Sequence, residues 1–289
     1  MSSDLTSSDF PSAPANAAAN TAGRIVVLKF GSSVFTHERE SLSVVSEILR
    51  HVRRGRRVVA VVGSIWGATE RLAAQARKVN AAPVGPALAR LLATGEQGAA
   101  SLVSLALTNV GIDHAVLDAR DAHFVAVGPS DDADPVSIDT EVLRLVLASK
   151  QVVVLPGAVA VGPKGEPAWL GRGGTDLAAV FIAHALGAEA HLIKDTDGLF
   201  EARSAGPLGG GGQASTGRYR SVAWGDAGAI GGRIVHPKAL RFAEAQRQAV
   251  RVRAMGSDGG TVITDRTQSE QPVVGRVGSA RSTPAALSA

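Results

Sequence analysis

The stretch Leu170-Gly171-Arg172-Gly173-Gly174-Thr175-Asp176 runs directly into an apolar segment at residues 177–186 that is typical of a helix. Glycine allows the backbone to approach a ligand closely, and a helix start offers unpaired N–H groups and positive dipole character to an anion. Arg172 adds a planar cation that matches a carboxylate or a phosphate, and Asp176 adds an acceptor for a cation or an ammonium group. The stretch therefore predicts a loop that binds charged small molecules at the N-terminus of a helix.

Short apolar runs alternate with helical patterns on both sides of this loop. The runs that predict strands are residues 24–30, 57–62, 114–118, 151–155, 190–193 and 250–254. The patterns that predict helices are residues 41–54, 70–79, 87–110, 140–149, 176–186 and 238–248. Such alternation is typical of a mostly parallel sheet with helices on both faces, so we predict an α/β fold, a three-layer sandwich.

Polar segments that contain glycine follow several of the predicted strands. They are residues 29–33, 63–69 and 194–198, and the position Gly157. Because ligands of such sheets bind beyond the carboxyl ends of the strands, we expect these segments to converge on one site.

Lys29 ends the first predicted strand and precedes Gly31, Ser32 and Ser33. A lysine at this place can neutralise phosphate charge while the glycine and serine backbone groups hold phosphate oxygens, although an ordinary strand-end lysine explains it equally well. No GxxxxGK[ST] or GxGxxG motif follows the strand, so neither a P-loop nor a Rossmann cofactor site is predicted.

Other candidate residues are open to two interpretations. Asp195 and Asp197 follow a predicted strand, where paired acids can orient lysines, bind Mg²⁺ or contact a ribose, but a simple Asp-Gly turn explains them equally well. Glu96 is interpreted locally as an acid at a helix start. His236 stands before Pro237, which suits a first helical turn, and is interpreted as structural.

Composition narrows the class of protein. The 289 residues contain no cysteine, which excludes disulfides and thiolate metal sites and is consistent with a cytoplasmic enzyme. No apolar run approaches the ~18 residues of a membrane span, and no His or carboxylate spacing predicts a dedicated metal site. The net charge of +4 owes much to an arginine cluster at residues 53–57, and aromatic residues make up only 4%. We interpret the cluster as a solvated helix end, so neither nucleic acid nor a membrane is predicted as a partner.

Taken together, the motifs resemble the amino-acid kinase family, and within it the catalytic domain of the aspartate kinases, over about residues 25–263. The most specific match is GRGGTD at residues 171–176, which resembles the family's GRGGSD. KFGSS at residues 29–33 resembles KFGG[TS], and DTDGLF at residues 195–200 resembles TDVDGVY. Gly95-Glu96 resembles the GE of GERLS, and residues 231–237 resemble GAKVLHP. The resemblance implies an amino-acid/carbamate kinase-like fold.

The resemblance also implies an activity: phosphoryl transfer from ATP, with Mg²⁺ carried by the ATP, to the side-chain carboxylate of aspartate, giving the acyl phosphate 4-phospho-aspartate. The implied catalytic residues are Lys29 and Asp176. The implied substrate-binding residues are Thr69, Glu96, Arg172 and Thr175. The implied nucleotide-binding residues are Lys29, Gly31, Ser32, Ser33, Lys194, Asp195, Asp197, Phe200 and Arg233. The partner is then a small-molecule amino acid, with a homodimer or a separate regulatory chain as a further expectation.

The sequence departs from the family pattern mainly on the phosphate side. Several motif positions differ: Ser32 replaces a glycine, Val34 a serine, Lys194 a threonine, Phe200 a tyrosine and Arg233 a lysine, and residues 203–205 replace the family's DPR. In the loop at residues 63–70, the family's serine falls on Gly63, unless Ser64 takes its place. Two alternatives therefore stay open. One is an enzyme of this family with another carboxylate or a phosphonate as acceptor, and the other is a non-catalytic member that serves as a binding or regulatory subunit.

The predicted domain organisation is a kinase domain at residues 24–264 between two disordered tails, residues 1–23 and 265–289, which are rich in small and polar residues. Aspartate kinases usually carry C-terminal ACT domains. The second tail is too short for one, so feedback control through such a domain in this chain is not expected.

Overall fold

The computed structural model describes residues 25–201, 217–230 and 234–269. The predicted N-terminal tail, most of the predicted C-terminal tail and the candidate residue Arg233 lie outside the described residues. The strands in chain order are β1 (Ile25–Phe30), β2 (Arg57–Val62), β3 (His114–Val116), β4 (Val125–Val127), β5 (Asp134–Ser137), β6 (Val152–Pro156), β7 (Val159–Val161), β8 (Pro167–Trp169), β9 (Glu189–Lys194), β10 (Tyr219–Ala223), β11 (Val250–Ala254), β12 (Thr261–Thr264) and β13 (Gln268–Ser269). The α-helices are α1 (Ser41–Val52), α2 (Ala68–Val79), α3 (Pro86–Asn109), α4 (Thr140–Ser149), α5 (Gly174–Leu186), α6 (Trp224–Ile230) and α7 (Pro237–Ala245).

Nine of the described strands form one sheet in the order β13-β10-β12-β11-β9-β1-β2-β6-β3. The strands from β11 to β3 are all parallel, whereas β12 runs antiparallel to β11. β1 lies between β2 and β9, and Lys29 pairs in register with Val61 and Leu192. The carboxyl ends of these strands therefore meet at one edge of the sheet, beside Lys29.

The sheet is the middle layer of three. Every residue of β1 is buried, as expected for a strand covered on both faces. Its alternate side chains face two separate apolar cores: Val27 packs in the core that includes α4, α5 and α7, and Leu28 packs in the core that includes α1 and much of α3. The predicted α/β three-layer sandwich with a mostly parallel central sheet is confirmed.

A second, smaller sheet was not predicted. Its order is β5-β4-β7-β8, and each strand has only three or four residues, too few for an alternating pattern to stand out. The hairpin of β7 and β8 returns the chain to the end of β6, where the Leu170 N–H donates to the Ala158 carbonyl at 2.9 Å. This sheet therefore delivers the glycine-rich loop to the edge where the parallel strands end.

Most predicted elements are present with ends shifted by a few residues, but the interpretation of Glu96 as a helix-start acid is wrong. Glu96 lies in the middle of α3, which begins with Pro86 after Gly85. The helix continues through Gly95. The absence of a side chain there allows Leu72 and Ser64 to pack closely against the helix, since a β-carbon would lie 3.2 Å from both. At the other end of the chain, β13 forms within the segment that the sequence assigns to the C-terminal tail.

Two arginines of the cluster at residues 53–57 form ion pairs within the chain. Arg54 in the arginine cluster forms an ion pair with Asp258 at 2.8 Å, and Arg56 forms one with Glu189 at 2.5 Å, so these cations pair with carboxylates of the same chain. Among the described residues, no helix combines the length and the apolar character needed to cross a membrane.

Candidate active site

A cavity of about 610 Å³ opens at the carboxyl ends of β1 and β2, beside the N-terminus of α5. Eight residues that the sequence predicts for the site line it: Lys29, Gly31, Ser32, Thr69, Glu96, Arg172, Thr175 and Asp176. These residues come from β1, the loop that follows it, α2, α3, the glycine-rich loop and the first turn of α5. The convergence expected at the strand ends is therefore present, while the role of each side chain remains a prediction.

The shape of the glycine-rich loop depends on two glycines with positive φ, Gly171 at +75° and Gly173 at +73°. A β-carbon on Gly171 would overlap Asp132 Oδ1, and one on Gly173 would overlap the His236 imidazole. Both conformation and space thus require glycine at these positions. The loop then enters α5 at Gly174, which turns the N–H groups of the first helical turn toward the cavity edge.

Asp176, in the first turn of α5, forms ion pairs with two lysines. Its Oδ1 lies 2.7 Å from Lys29 Nζ, and its Oδ2 lies 3.0 Å from Lys194 Nζ. All three side chains are buried. Burial alone would raise the pKa of Asp176, but the charges of Lys194 and Lys29 outweigh it and hold that pKa well below its usual range. Burial lowers the pKa of Lys194 to about 8, against the pull of Asp176.

This cluster carries an excess of positive charge. With one carboxylate for two ammonium groups, it remains attractive to an anion. The ammonium group of Lys29 also lies against the backbone of Gly31. A β-carbon at position 31 would overlap Lys29 Nζ, so the glycine leaves room for that group. Nitrogen donors of this kind suit phosphate oxygens. Within the described ranges, no group of three His, Asp or Glu side chains is placed to hold a metal ion.

Glu96, from α3, also lines the cavity, where it is 4% exposed. Thr175 Oγ1 donates to its Oε1 at 3.0 Å, and the Ala158 N–H donates to its Oε2 in a very short hydrogen bond. Burial raises the pKa of Glu96 to about 7, although both hydrogen bonds and the charge of Lys29 oppose the shift. A bound ammonium group would favour the ionised form and would find its acceptor here.

The loop between β2 and α2 contributes Ser64, and the first turn of α2 contributes Thr69. Thr69 Oγ1 donates to Ser64 Oγ at 3.0 Å, and Ser64 is buried in the cavity wall. Gly63 lies against Thr175, with only 3.2 Å between a β-carbon there and Thr175 Oγ1. Ser64 is thus the hydroxyl of this loop that reaches the site.

Several lining residues were not predicted for the site: Glu70, Ala73, Arg77, Trp169 and His236. The first three recur every three or four residues on α2, so they share one face of the helix. That spacing was the signal in the sequence that could have indicated that this face lines the site. Trp169 belongs to the unpredicted β8. His236, interpreted as structural, does accept a hydrogen bond from the Lys238 N–H at 3.3 Å as an N-terminal cap, and it also borders the cavity.

The remaining candidate nucleotide residues within the described ranges lie outside the cavity lining. Ser33 lies in the turn after β1, and the ammonium group of Lys194 contacts Asp176 behind the cavity lining. Asp195 and Phe200 are exposed. Asp197 accepts from the Ala254 N–H at 3.2 Å and pairs with Arg218 at 2.5 Å, so both of its oxygens already have protein partners.

Comparison with known proteins shows that this chain is similar to kinases. The model of the amino acid kinase family matches residues 24–254. An aspartokinase of Thermus thermophilus is 30% identical over 252 residues, which are 83% of this chain and 59% of that protein. The aspartokinase of a Bacillus species is 29% identical over 259 residues, which are 87% of this chain and 61% of that protein. This chain thus spans about three fifths of the length of these curated relatives.

A solved structure agrees with the sequence relatives. The aspartate kinase from Synechocystis superposes with a TM-score of 0.70 and 25% sequence identity, over 86% of this chain and 41% of that chain. The family match covers most of this chain, and its motifs line one cavity. The chain therefore belongs to the amino acid kinase family.

Proposed function

We propose that this protein transfers a phosphoryl group from ATP to the side-chain carboxylate of aspartate and forms 4-phospho-aspartate. The names of the relatives support the substrate. Two neighbouring residues carry the proposal: Thr175 hydrogen-bonds to Glu96, while Asp176 pairs with Lys29. The first turn of α5 thus lies between the proposed binding site of the amino acid and that of the phosphate.

The acceptor half of the site is made by Arg172, Glu96, Thr175 and Thr69. The Arg172 guanidinium at the cavity mouth matches the α-carboxylate of an amino acid, because its planar fork can bind both oxygens. The buried carboxylate of Glu96 and the Thr175 hydroxyl accept hydrogen bonds from the α-ammonium group. Thr69, held by Ser64, borders the position of the reacting carboxylate.

The phosphate half is made by Lys29 and Lys194 with the backbone of the turn after β1. ATP supplies the phosphoryl group together with its Mg²⁺. The lysines neutralise phosphate charge, and Asp176 keeps both ammonium groups at one point. Gly31, Ser32 and Ser33 hold phosphate oxygens, and Asp195, Asp197, Phe200 and Arg233 belong to the nucleotide side of the proposal.

The proposed reaction requires the protein to align the two substrates and to neutralise phosphate charge. The acceptor carboxylate is ionised at neutral pH and is already a nucleophile, so no general base is required. The residues of the acceptor half hold the nucleophile in place, and those of the phosphate half offset the negative charge that would repel it.

The test is an acceptor panel. Purified protein is incubated with Mg-ATP, hydroxylamine and aspartate, glutamate or an aspartate phosphonate analogue, and hydroxamate and ADP are measured. We expect hydroxamate with aspartate and its loss in Lys29→Met. ADP formation only with another acceptor would replace aspartate as substrate, and ATP binding without turnover of any acceptor would contradict the proposal.

Two further parts of the proposal concern the setting of the enzyme. The unit that acts is the kinase domain at residues 24–264, in the cytoplasm, as a homodimer or with a separate regulatory chain. Light scattering of the purified protein measures its mass in solution, and a monomer that is fully active alone would contradict the partner part of the proposal.

A further inference from the structure

Lys238, in the first turn of α7, ties three segments together behind the glycine-rich loop. Its Nζ lies 3.0 Å from Asp132 Oδ1, 3.0 Å from the Ala133 carbonyl and 3.2 Å from the Leu170 carbonyl. A lysine ammonium group has three N–H donors, so these acceptors use its full capacity. The Asp134 carboxylate adds an ion pair at 3.1 Å.

The same helix end contacts the loop along its whole length. Asp132, the partner of Lys238, lies against Gly171 with no space for a β-carbon between them. The His236 ring lies against Gly173 in the same way, and the His236 N–H points to Asp176 Oδ2 at 3.4 Å. The loop is therefore supported at its start, its middle and its end by the N-terminus of α7.

Arg172 depends on this support. Its side chain is exposed, and in the described parts of the chain no hydrogen bond or ion pair holds it. The backbone at Gly171 and Gly173 therefore sets where the Arg172 side chain leaves the loop. A shift of that backbone moves the region that the guanidinium can reach in the cavity.

We propose that Lys238 is a positioning residue, which fixes the backbone that leads into Arg172 through Asp132 and Leu170 and so sets the affinity for the acceptor carboxylate. The inference about the acceptor rests on the proposed function; the inference about the loop rests on geometry alone. An interaction that holds the acceptor equally in the ground state and in the transition state affects KM rather than kcat.

Kinetics of Lys238→Met test the acceptor part. Methionine keeps the length of the side chain and removes the charge and all three donors. We expect the KM for aspartate to rise about tenfold while kcat changes less than about threefold, as for a displaced binding group. Lys238→Arg should recover most of the affinity because it keeps charge and donors. The matched control is Lys150→Met, which breaks a surface ion pair with Asp113.

Amide hydrogen exchange tests the loop part without substrate. In Lys238→Met, the amides of residues 170–177 should exchange about tenfold faster than in the unaltered protein, with α3 unchanged. Unchanged exchange overturns the positioning role, whatever the KM. Faster exchange with an unchanged KM overturns the effect on the acceptor. If the unaltered protein makes no aspartate hydroxamate, the proposed function fails, and the exchange result still decides the role of Lys238 in the loop.

Discussion

The Nζ of Lys194 lies 3.0 Å from Asp176 Oδ2, so the carboxyl end of β9 is joined to the N-terminus of α5 through a residue that lines the cavity. Lys194 replaces the threonine of the family motif, which from the sequence alone indicates a loss on the nucleotide side. The structure instead shows a second ammonium group on the carboxylate that already holds Lys29. The substitution thus adds positive charge where the proposed reaction needs it.

Replacement of Lys194 by methionine tests this addition. We expect kcat/KM for Mg-ATP to fall about a hundredfold, as when one preorganised donor for developing charge is lost. The fold should persist because Asp176 keeps Lys29 as a partner. Steady-state kinetics and a melting curve measure the two effects, with Lys150→Met as the control. An unchanged kcat/KM would show that Lys194 only balances the charge of Asp176.

The sequence predicted the six parallel strands of the central sheet, from β3 to β11 in the sheet order, but not β10, β12 and β13 at its edge. β1, β2 and β6 are continuous apolar runs, and such runs are recognisable without any knowledge of their neighbours. The second sheet was missed since β7 and β8 hold only three residues each and gain their stability from contacts with distant segments. Glu96 was misplaced because it was interpreted from its nearest neighbours alone, although the helix predicted at residues 87–110 already contained it.

The raised pKa of Glu96 makes acceptor binding depend on pH. Burial raises this pKa to about 7, so the free enzyme loses the negative charge of Glu96 as the pH falls through about 7. The protonated acid attracts an ammonium group less, and we expect kcat/KM for aspartate to fall about tenfold per pH unit below that value. A pH profile of Glu96→Gln should lack this limb and show a much higher KM for aspartate.

The control for this profile is Glu70→Gln, an exposed acid that lines the same cavity. It should keep the acidic limb. A limb that persists in Glu96→Gln would assign the titration to another group and remove Glu96 as the acceptor of the ammonium group.

A cluster around His191, outside the cavity lining, makes the free energy of unfolding depend on pH. His191 Nδ1 accepts from Arg253 Nε at 3.3 Å, and its Nε2 lies 3.0 Å from Glu189, an arrangement that needs the neutral ring. Burial and then the charge of Arg253, with a smaller contribution from His51, lower the pKa of His191 to about 4, while the Glu189 contact opposes the shift. The folded pKa is below the unfolded value of about 6.5, so stability is complete above that pH and is lost as the pH falls toward 4.

Urea unfolding at several pH values measures this loss. We expect the free energy of unfolding to drop by about 3 kcal/mol between pH 7 and pH 4 on account of His191. His191→Gln should flatten this part of the profile, and His37→Gln, which changes an exposed histidine, should not. Equal slopes in both variants would assign the acid sensitivity to other groups.

The candidate site was predictable in its parts but not in its pairings. The motifs identified Lys29, Asp176, Thr175 and Glu96, because each stands in a short segment with few alternatives. That Thr175 would contact Glu96, 79 positions away in the chain, depends on the meeting of α3 with α5 across the strand ends. The contacts of Asp197 with Arg218 and Ala254 likewise depend on how β9, β10 and β11 pack, which no local pattern records.

The glycine at position 173 gives a test of the loop by substitution. Gly173→Ala forces a β-carbon onto a backbone with φ of +73° and into the His236 ring. We expect a loss of about 2–4 kcal/mol in unfolding free energy, from backbone strain and from overpacking together, with a raised KM for aspartate as Arg172 moves. Gly187→Ala is the matched control, since Gly187 has φ of +61° and nothing within 4 Å of a β-carbon. It should show only the strain, about 1 kcal/mol, with an unchanged KM. If both variants lose the same stability and keep the same KM, the contact with His236 does not shape the loop.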